Sequence, residues 1–190
     1  MVLKRRQTYR DTLREIAAGD YGLITLRDAE ALGVPAVEVR KLASRGFLER
    51  VGHGLYRDPT IPPSDMDQFA WAARAVGDDA YLMGESVLAM HNLGFVNPAR
   101  ITVGTPRRVW RALPAVIHAV TRKLPPDALT VEEGVAQTTI YQALIDCLPT
   151  VMTSRLRDAV TEAGRRGLLT KREQSALRAR ISRRSTEMTR

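Results

Sequence analysis

The segment VPAVEVRKLASRGFLERVGHGLYRDP, residues 34–59, decides the fold of the N-terminal third of this chain. Pro35 suits the first turn of a helix, because its missing N–H and fixed φ cost nothing there. Val39 and Leu42 recur at helical spacing before Gly46 ends the helix. An apolar run around the tripeptide GHG follows, and it predicts a β-hairpin with a glycine-bearing turn.

Two further helices are predicted upstream of this segment. The first covers KRRQTYRDTLREIAAGD and has an apolar stripe of Tyr9, Leu13, Ile16 and Ala17. The second is capped by Thr25 and stopped by Gly33, with Leu26, Ala29 and Leu32 on its apolar side. The order is therefore helix, helix, turn, helix and two-stranded hairpin.

This order is typical of a winged helix-turn-helix, in which one helix enters the major groove and the hairpin lies along the DNA backbone. Pro35 to Val37 are expected nearest the base edges, Arg40 on guanine or phosphate, and Lys41 on the backbone. The candidate DNA-binding residues are Thr25, Arg27, Pro35, Ala36, Val37, Arg40, Lys41, Ser44, Arg45, Arg50, His53 and Arg57. The alternative is a helix-hairpin corner with solvated charges, used for dimerisation or protein binding.

The net charge of +8 favours a polyanionic partner, and 25 of the 29 basic residues are arginine. A G+C-rich coding sequence is an alternative explanation for the ratio of arginine to lysine, although it does not explain the positive sign. The charge is +3 over residues 1–60, −2 over 61–150 and +7 over 151–190. The basic C-terminal tail is a second DNA-contact surface, a face that meets a protein partner, or a solvated helix.

Pro59, Pro62 and Pro63 mark a linker at residues 59–64, because prolines remove backbone donors that a helix or central strand needs. The expected domains are a winged helix-turn-helix at 1–58 and a second domain at 65–190. The second domain combines helical segments with short β-rich runs bounded by glycine and proline. The fold class is thus α+β, mainly helical, with a mixed α/β domain that ends in a helical segment.

The sequence argues against an enzyme, a metal site and a cofactor. His53, His91 and His118 have no Glu or Cys neighbours at metal-ligand spacing, and no Glu-x-Lys tripeptide of a nuclease occurs. AGRRG lacks the Lys-Ser/Thr of a phosphate-binding loop and is interpreted as a helix end with a glycine cap. Cys147 is expected to be a core thiol in a reducing cytosol. Because the sequence has no long apolar segment, the chain is expected to be cytoplasmic and to have no membrane partner.

The segment from LITLRDAEALG to GLYRDP resembles the N-terminal domain of AbiEi-type antitoxins of bacterial AbiE (type IV) toxin–antitoxin pairs, a resemblance carried by Gly46, Leu48, Gly54 and Tyr56. GESVLAMHNLG and TIYQALIDC are similar to later segments of that family. The sequence departs from the family pattern at Gly84, Gln142 and Ala143. The later segments contain Glu85, Ser86 and Asp146, which are either family contact residues or structural groups. In the structural interpretation Ser86 or Thr139 caps a helix, and Asp146 is buried with its hydrogen bonds satisfied.

The resemblance implies an antitoxin that binds double-stranded operator DNA, represses its own operon and neutralises a nucleotidyltransferase-like toxin. It leaves open whether neutralisation uses a stable complex or acts indirectly. The alternative function is a stand-alone winged-helix transcription regulator whose C-terminal domain dimerises or binds a ligand. A neighbouring reading frame for a nucleotidyltransferase-like protein distinguishes the two.

Overall fold

Helices and a small antiparallel sheet form the N-terminal unit of this computed structural model, which describes residues 8–187. The helices are α1 (Tyr9–Gly19), α2 (Leu26–Ala31), α3 (Ala36–Ser44) and α4 (Asp67–Val76), and the strands are β1 (Leu23–Thr25), β2 (Glu49–Gly52) and β3 (Leu55–Arg57). This unit ends at Ala75, and a second unit begins at Val76. The division of the chain into domains at 1–58 and 65–190, joined by a linker at 59–64, remains a prediction.

Side-chain caps fix where the first two helices begin. The Thr8 hydroxyl accepts a hydrogen bond from the Asp11 backbone N–H, and the Asp11 carboxylate accepts one from the Thr8 backbone N–H, which forms a capping box. Thr25 accepts from the Asp28 N–H at 3.0 Å, so the cap predicted for α2 is confirmed. The part of the predicted first helix that precedes Thr8 lies outside the described residues.

The core of the N-terminal unit draws on every helix of the helix-turn-helix and on the sheet. Its buried members are Leu13, Ala17, Ile24, Ala29, Val34, Val39, Leu48 and Tyr56. Ile16, Leu42 and Ala43 pack against it with partial exposure. Leu13, Val39 and Leu42 therefore lie where the helical periodicity predicts, and burying such side chains stabilises the unit by about 1.5–3 kcal/mol each.

Two details of this unit differ from the sequence-based expectation. The wing is not a simple hairpin, because β1 pairs antiparallel with β3 and gives a three-stranded sheet in the order β1-β3-β2. The burial predicted for Leu32 is wrong, since its side chain is 60% exposed. α2 ends at Ala31, so Leu32 is the C-cap residue outside the helix, and the chain changes direction at Gly33, which has φ +77°.

The second unit is built around a mixed five-stranded sheet. Its strands are β4 (Tyr81–Leu82), β5 (Ile101–Thr105), β6 (Ile117–Thr121), β7 (Leu129–Glu132) and β8 (Val135–Thr138), in the order β6-β5-β4-β8-β7. The β5–β6 and β4–β8 pairs are parallel, while β4–β5 and β7–β8 are antiparallel. The small sheet that the sequence predicts for the middle third is therefore confirmed.

Helices complete the second unit. They are α5 (Glu85–Met90), α6 (Ile140–Cys147), α7 (Thr153–Arg165) and α8 (Lys171–Glu187), and a short 3-10 turn covers Pro126–Ala128. α7 packs against α8 and both contribute fully buried side chains, among them Leu156 and Leu177. Within residues 8–187, no helix is both long and apolar enough to span a bilayer. The mixed α/β fold with a helical C-terminal segment agrees with the predicted class.

Candidate nucleic-acid interface

α3 buries one face and exposes the other. Val39 is completely buried, and Leu42 packs against the core. The opposite side of the helix is exposed, with Val37 51% accessible. This exposed face carries Val37, Arg40, Lys41 and Ser44. The helix therefore presents two cations, a hydroxyl and an apolar contact on one side, which is the chemistry that base edges and phosphates need.

The first turn of α3 is open toward solvent. Pro35 is exposed, stands at the N-cap with φ −62° and ψ 143°, and has no side-chain group to cap the helix. Ala36, the next residue, is partly buried. The positive end of the helix dipole lies here, so the start of α3 favours an anionic neighbour.

Lys41 and Ser44 make local contacts in the free protein. The Lys41 Nζ lies 2.8 Å from Glu38 Oε1, but the lysine side chain is 54% exposed and the pair contributes little to stability. The Ser44 hydroxyl donates to the Lys41 carbonyl at 2.9 Å. Arg45 follows as the exposed C-cap residue. A phosphate contact by Lys41 therefore requires only the exchange of one exposed ion pair.

The hairpin of β2 and β3 presents a second basic surface. Arg50 is exposed on β2, and its Nε donates to the Gly52 carbonyl at 3.2 Å. The register shifts between Arg50 and Gly52, and the turn continues through exposed His53 and Gly54 at φ +66°. The left-handed conformation at Gly54 is the reason for glycine at this turn.

α4, for which the sequence predicts only a structural role, supports this hairpin. The Trp71 Nε1 donates to the Val51 carbonyl of β2 at 3.0 Å. Arg57 of β3 donates from Nη2 to Asp67 Oδ2 at 3.2 Å and to the Ile61 carbonyl at 3.0 Å. These contacts join residues up to twenty positions apart, so local periodicity gives no signal for them.

Two of the candidate DNA-binding residues, Thr25 and Arg57, are less exposed than most of the others. Thr25 is buried and its hydroxyl bonds Asp28, so it serves as a helix cap. Arg57, expected on the solvent side, is instead only 20% exposed and paired with Asp67. Arg27 is exposed on α2. Burial raises the pKa of Asp67, but hydrogen bonds from Ser64 and the Arg57 guanidinium outweigh it and hold that pKa below its ordinary value.

The polar residues singled out in the second unit have structural partners. Ser86 is fully buried and its Oγ accepts from the Thr102 N–H, so the prediction that it caps a helix is wrong; Gly84, at φ +57°, occupies that N-cap. Thr139 caps α6, as predicted. Asp146 Oδ1 accepts from Arg122 and Gln142, both at 2.8 Å.

Asp146 Oδ2 is buried without a hydrogen-bond partner, so the expectation of a fully satisfied carboxylate holds for one of its two oxygens. Glu85 accepts a hydrogen bond from the Thr150 hydroxyl at 2.8 Å. The AGRRG segment ends α7 at Arg165, with Gly167 at φ +74° two residues later, which confirms the predicted glycine stop.

The remaining candidate reactive groups are held in unreactive surroundings. Burial raises the pKa of the Cys147 thiol to about 12, with Glu85 and Asp146 adding to the effect. His91 is buried against Gln137, and desolvation lowers its pKa. Among residues 8–187, no group of three or more His, Cys, Asp and Glu side chains is arranged to hold a metal ion.

The helix-turn-helix, the exposed face of α3 and the braced hairpin define a winged-helix domain of the kind used by transcription regulators. Residues 11–57 match the sequence model of a family described as "Transcriptional regulator, AbiEi antitoxin". The matched segment runs from α1 to the end of β3, so the resemblance to AbiEi antitoxins that the sequence predicts is confirmed for the winged helix.

The chain is also similar to proteins whose structures have been solved. The crystal structure of the RV2827C protein from Mycobacterium tuberculosis is 17% identical, with a TM-score of 0.41, and the alignment covers 93% of this chain and 83% of that chain. Among curated proteins, no sequence matches this chain.

Proposed function

We propose that this chain is an antitoxin that binds its operator through α3 and the wing, represses its own operon and neutralises a nucleotidyltransferase-like toxin. The observation that carries the proposal is the exposed basic face of α3, opposite buried Val39, in a segment that matches antitoxin transcription regulators. We further propose that it acts in the cytoplasm and without catalytic activity of its own.

In this proposal α3 lies in the major groove of the operator. Pro35, Ala36 and Val37 approach base edges, and Val37 supplies an apolar contact of the kind that suits a thymine methyl group. Arg40, which is exposed, reads a guanine edge through two donors or bonds a phosphate. Ser44 and Arg45 extend the contact toward the backbone at the end of the helix.

The backbone contacts come from charged groups on both sides of the reading helix. Lys41 leaves Glu38 for a phosphate, and Arg50 and His53 place the wing along the adjacent strand. Arg27 on α2 contributes in the same way. Arg57 supports the wing through its bond to Asp67 and contributes to binding only through that support.

A reporter assay in cells tests repression. The DNA upstream of the reading frame is fused to a reporter gene and expressed with the parent protein, Arg40→Ala or Arg14→Ala. We expect Arg40→Ala to relieve repression, whereas Arg14→Ala, which removes the same charge from α1, leaves it intact. Equal repression by all three proteins, at equal protein levels, contradicts the proposal that α3 binds the operator.

Co-expression with the neighbouring reading frame tests neutralisation. That frame should encode a nucleotidyltransferase-like protein whose toxicity the parent suppresses. The Arg40→Ala variant should still restore growth, because the DNA-reading helix is not assigned to the toxin. A neighbour without toxicity, together with intact repression, favours the stand-alone regulator instead.

A further inference from the structure

The loop between β5 and β6 displays an indole almost completely in solvent. Trp110 is 81% exposed, although tryptophan is among the side chains with the most to gain from burial. The Arg108 guanidinium carbon lies 4.1 Å from the centroid of the Trp110 ring. One face of the ring thus has a cation stacked on it, and the exposure of the side chain leaves the other face accessible.

The loop is attached to its own unit on both sides of this pair. The Arg107 Nε lies 2.9 Å from Asp79 Oδ2, and the Arg111 Nη2 donates to the Val76 carbonyl at 2.9 Å. The Arg107 pair is exposed and contributes little, whereas the Arg111 contact is partly buried and attaches the backbone directly after Trp110. A ligand that stacks on the indole therefore meets a partly preorganised site, which lowers the entropy lost on binding.

The charge around the loop is of one sign. Residues 86–126 contain six lysines and arginines and no aspartate or glutamate, although the middle third as a whole is slightly acidic. β5 and β6 are parallel and in register from Ile101 with Ile117 to Thr105 with Thr121. Arg107, Arg108 and Lys123 consequently leave the sheet at the same end, since each follows the last residue of its strand closely.

We propose that Trp110, Arg108 and Lys123 bind single-stranded nucleic acid, with an unpaired base stacked on the open face of the indole and phosphates on the two cations. Stacking on an aromatic side chain suits an unpaired base, because the faces of a paired base are already covered by its neighbours in the duplex. An acidic protein segment would use the cations alone and leave the exposed ring without a partner. The site goes beyond the operator contact proposed for α3.

A fluorescence titration of the full chain tests the proposal, because the protein has only two tryptophans. A short deoxythymidine oligonucleotide is added to the parent protein at low salt, and stacking should quench the Trp110 emission. The Trp110→Ala variant should bind about tenfold or more weakly when a labelled oligonucleotide reports binding, the order expected for the loss of one stacked base. Arg108→Ala should weaken binding and reduce its dependence on salt.

Phe95→Ala is the matched control, because Phe95 is 87% exposed in the same unit and is not part of the proposed site. It should bind the oligonucleotide like the parent, and Trp110→Ala should still bind the operator duplex like the parent. Arg40→Ala should weaken operator binding and keep the quenching, which separates this site from the one on α3. Equal oligonucleotide affinity for the parent and Trp110→Ala, or no quenching of the parent, overturns the proposal. So does a loss of toxin co-purification on Trp110→Ala without any oligonucleotide binding.

Discussion

Arg57→Ala should destabilise the N-terminal unit and leave the charge contribution to DNA binding almost unchanged. The guanidinium is only 20% exposed and donates to the Ile61 carbonyl at 3.0 Å and to Asp67 Oδ2 at 3.2 Å. Hydrogen bonds to charged groups contribute about 1.5–3 kcal/mol each when buried, and partial solvent access reduces this value. We therefore expect a loss of about 2 kcal/mol in the free energy of unfolding of this unit.

Urea denaturation followed by tryptophan fluorescence measures this loss. A Trp110→Phe background leaves Trp71 as the single indole, and Trp71 reports on the N-terminal unit through its bond to Val51. Arg50→Ala is the matched control, since Arg50 is exposed and donates to the nearby Gly52 carbonyl at 3.2 Å. It should change stability by less than about 0.5 kcal/mol and reduce the slope of log K against log salt by about one.

The opposite pattern would refute this assignment of the two arginines. If Arg57→Ala unfolds like the parent and lowers the salt slope, Arg57 is a phosphate contact and its pair with Asp67 is not maintained in solution. Asp67→Asn distinguishes further, because it should reproduce much of the destabilisation without removing a cation. The pKa of Asp67 in the folded protein lies below its ordinary value. The ion pair therefore stabilises the fold at pH values above the unfolded pKa of Asp67, and this stabilisation is lost as the pH falls through the folded pKa.

Three further outcomes are expected in the second unit. Cys147 should react with a thiol reagent only after denaturation, because burial raises its pKa to about 12; rapid labelling of the native protein contradicts this. The free energy of unfolding should fall as the pH drops below the unfolded pKa of His91 at about 6.5, because its folded pKa is lowered by burial, and His91→Asn should flatten that dependence. Gly94→Ala should lower the free energy of unfolding, measured in denaturant, more than Gly134→Ala does. Both glycines have positive φ, but of the two only Gly94 would place an added Cβ against a backbone oxygen, that of Arg155, at 2.6 Å. Equal losses of stability would contradict this close approach.

The elements that the sequence predicts correctly are those with a repeated local signal. Val39 and Leu42 recur at helical spacing on α3, and Thr25 and Gly46 mark helix boundaries by their own chemistry. These signals depend on residues within one or two turns of each other. They are therefore sufficient to predict the helix-turn-helix and the position of the hairpin.

The features that the sequence analysis missed depend on distant residues or very short segments. β1 has three residues, too few for alternation to reveal a strand, and it exists because β3 pairs with it. The sequence predicts Arg57 on the solvent side, because nothing nearby indicates its partner Asp67, ten positions later. The average charge of the middle third likewise concealed the acid-free stretch around Trp110. Tertiary contacts, not local preference, determine these features.

A binding titration on duplex DNA tests the central claim, that α3 reads the operator, most directly. The parent, Arg40→Ala, Lys41→Ala, the variant with both changes, and Arg14→Ala are titrated against operator and scrambled duplexes at several salt concentrations, with folding checked by circular dichroism. Arg14 is the charge-matched control, because it lies on α1 and its guanidinium bonds Thr60.

Arg40→Ala should lose about 1–3 kcal/mol on the operator and relax the preference at one base position. Lys41→Ala should weaken operator and scrambled duplexes alike and lower the salt slope by about one, whereas Arg14→Ala should bind like the parent. If the Arg40, Lys41 and doubly substituted variants all bind the operator with the affinity of the parent, α3 is not the reading helix and the account is wrong.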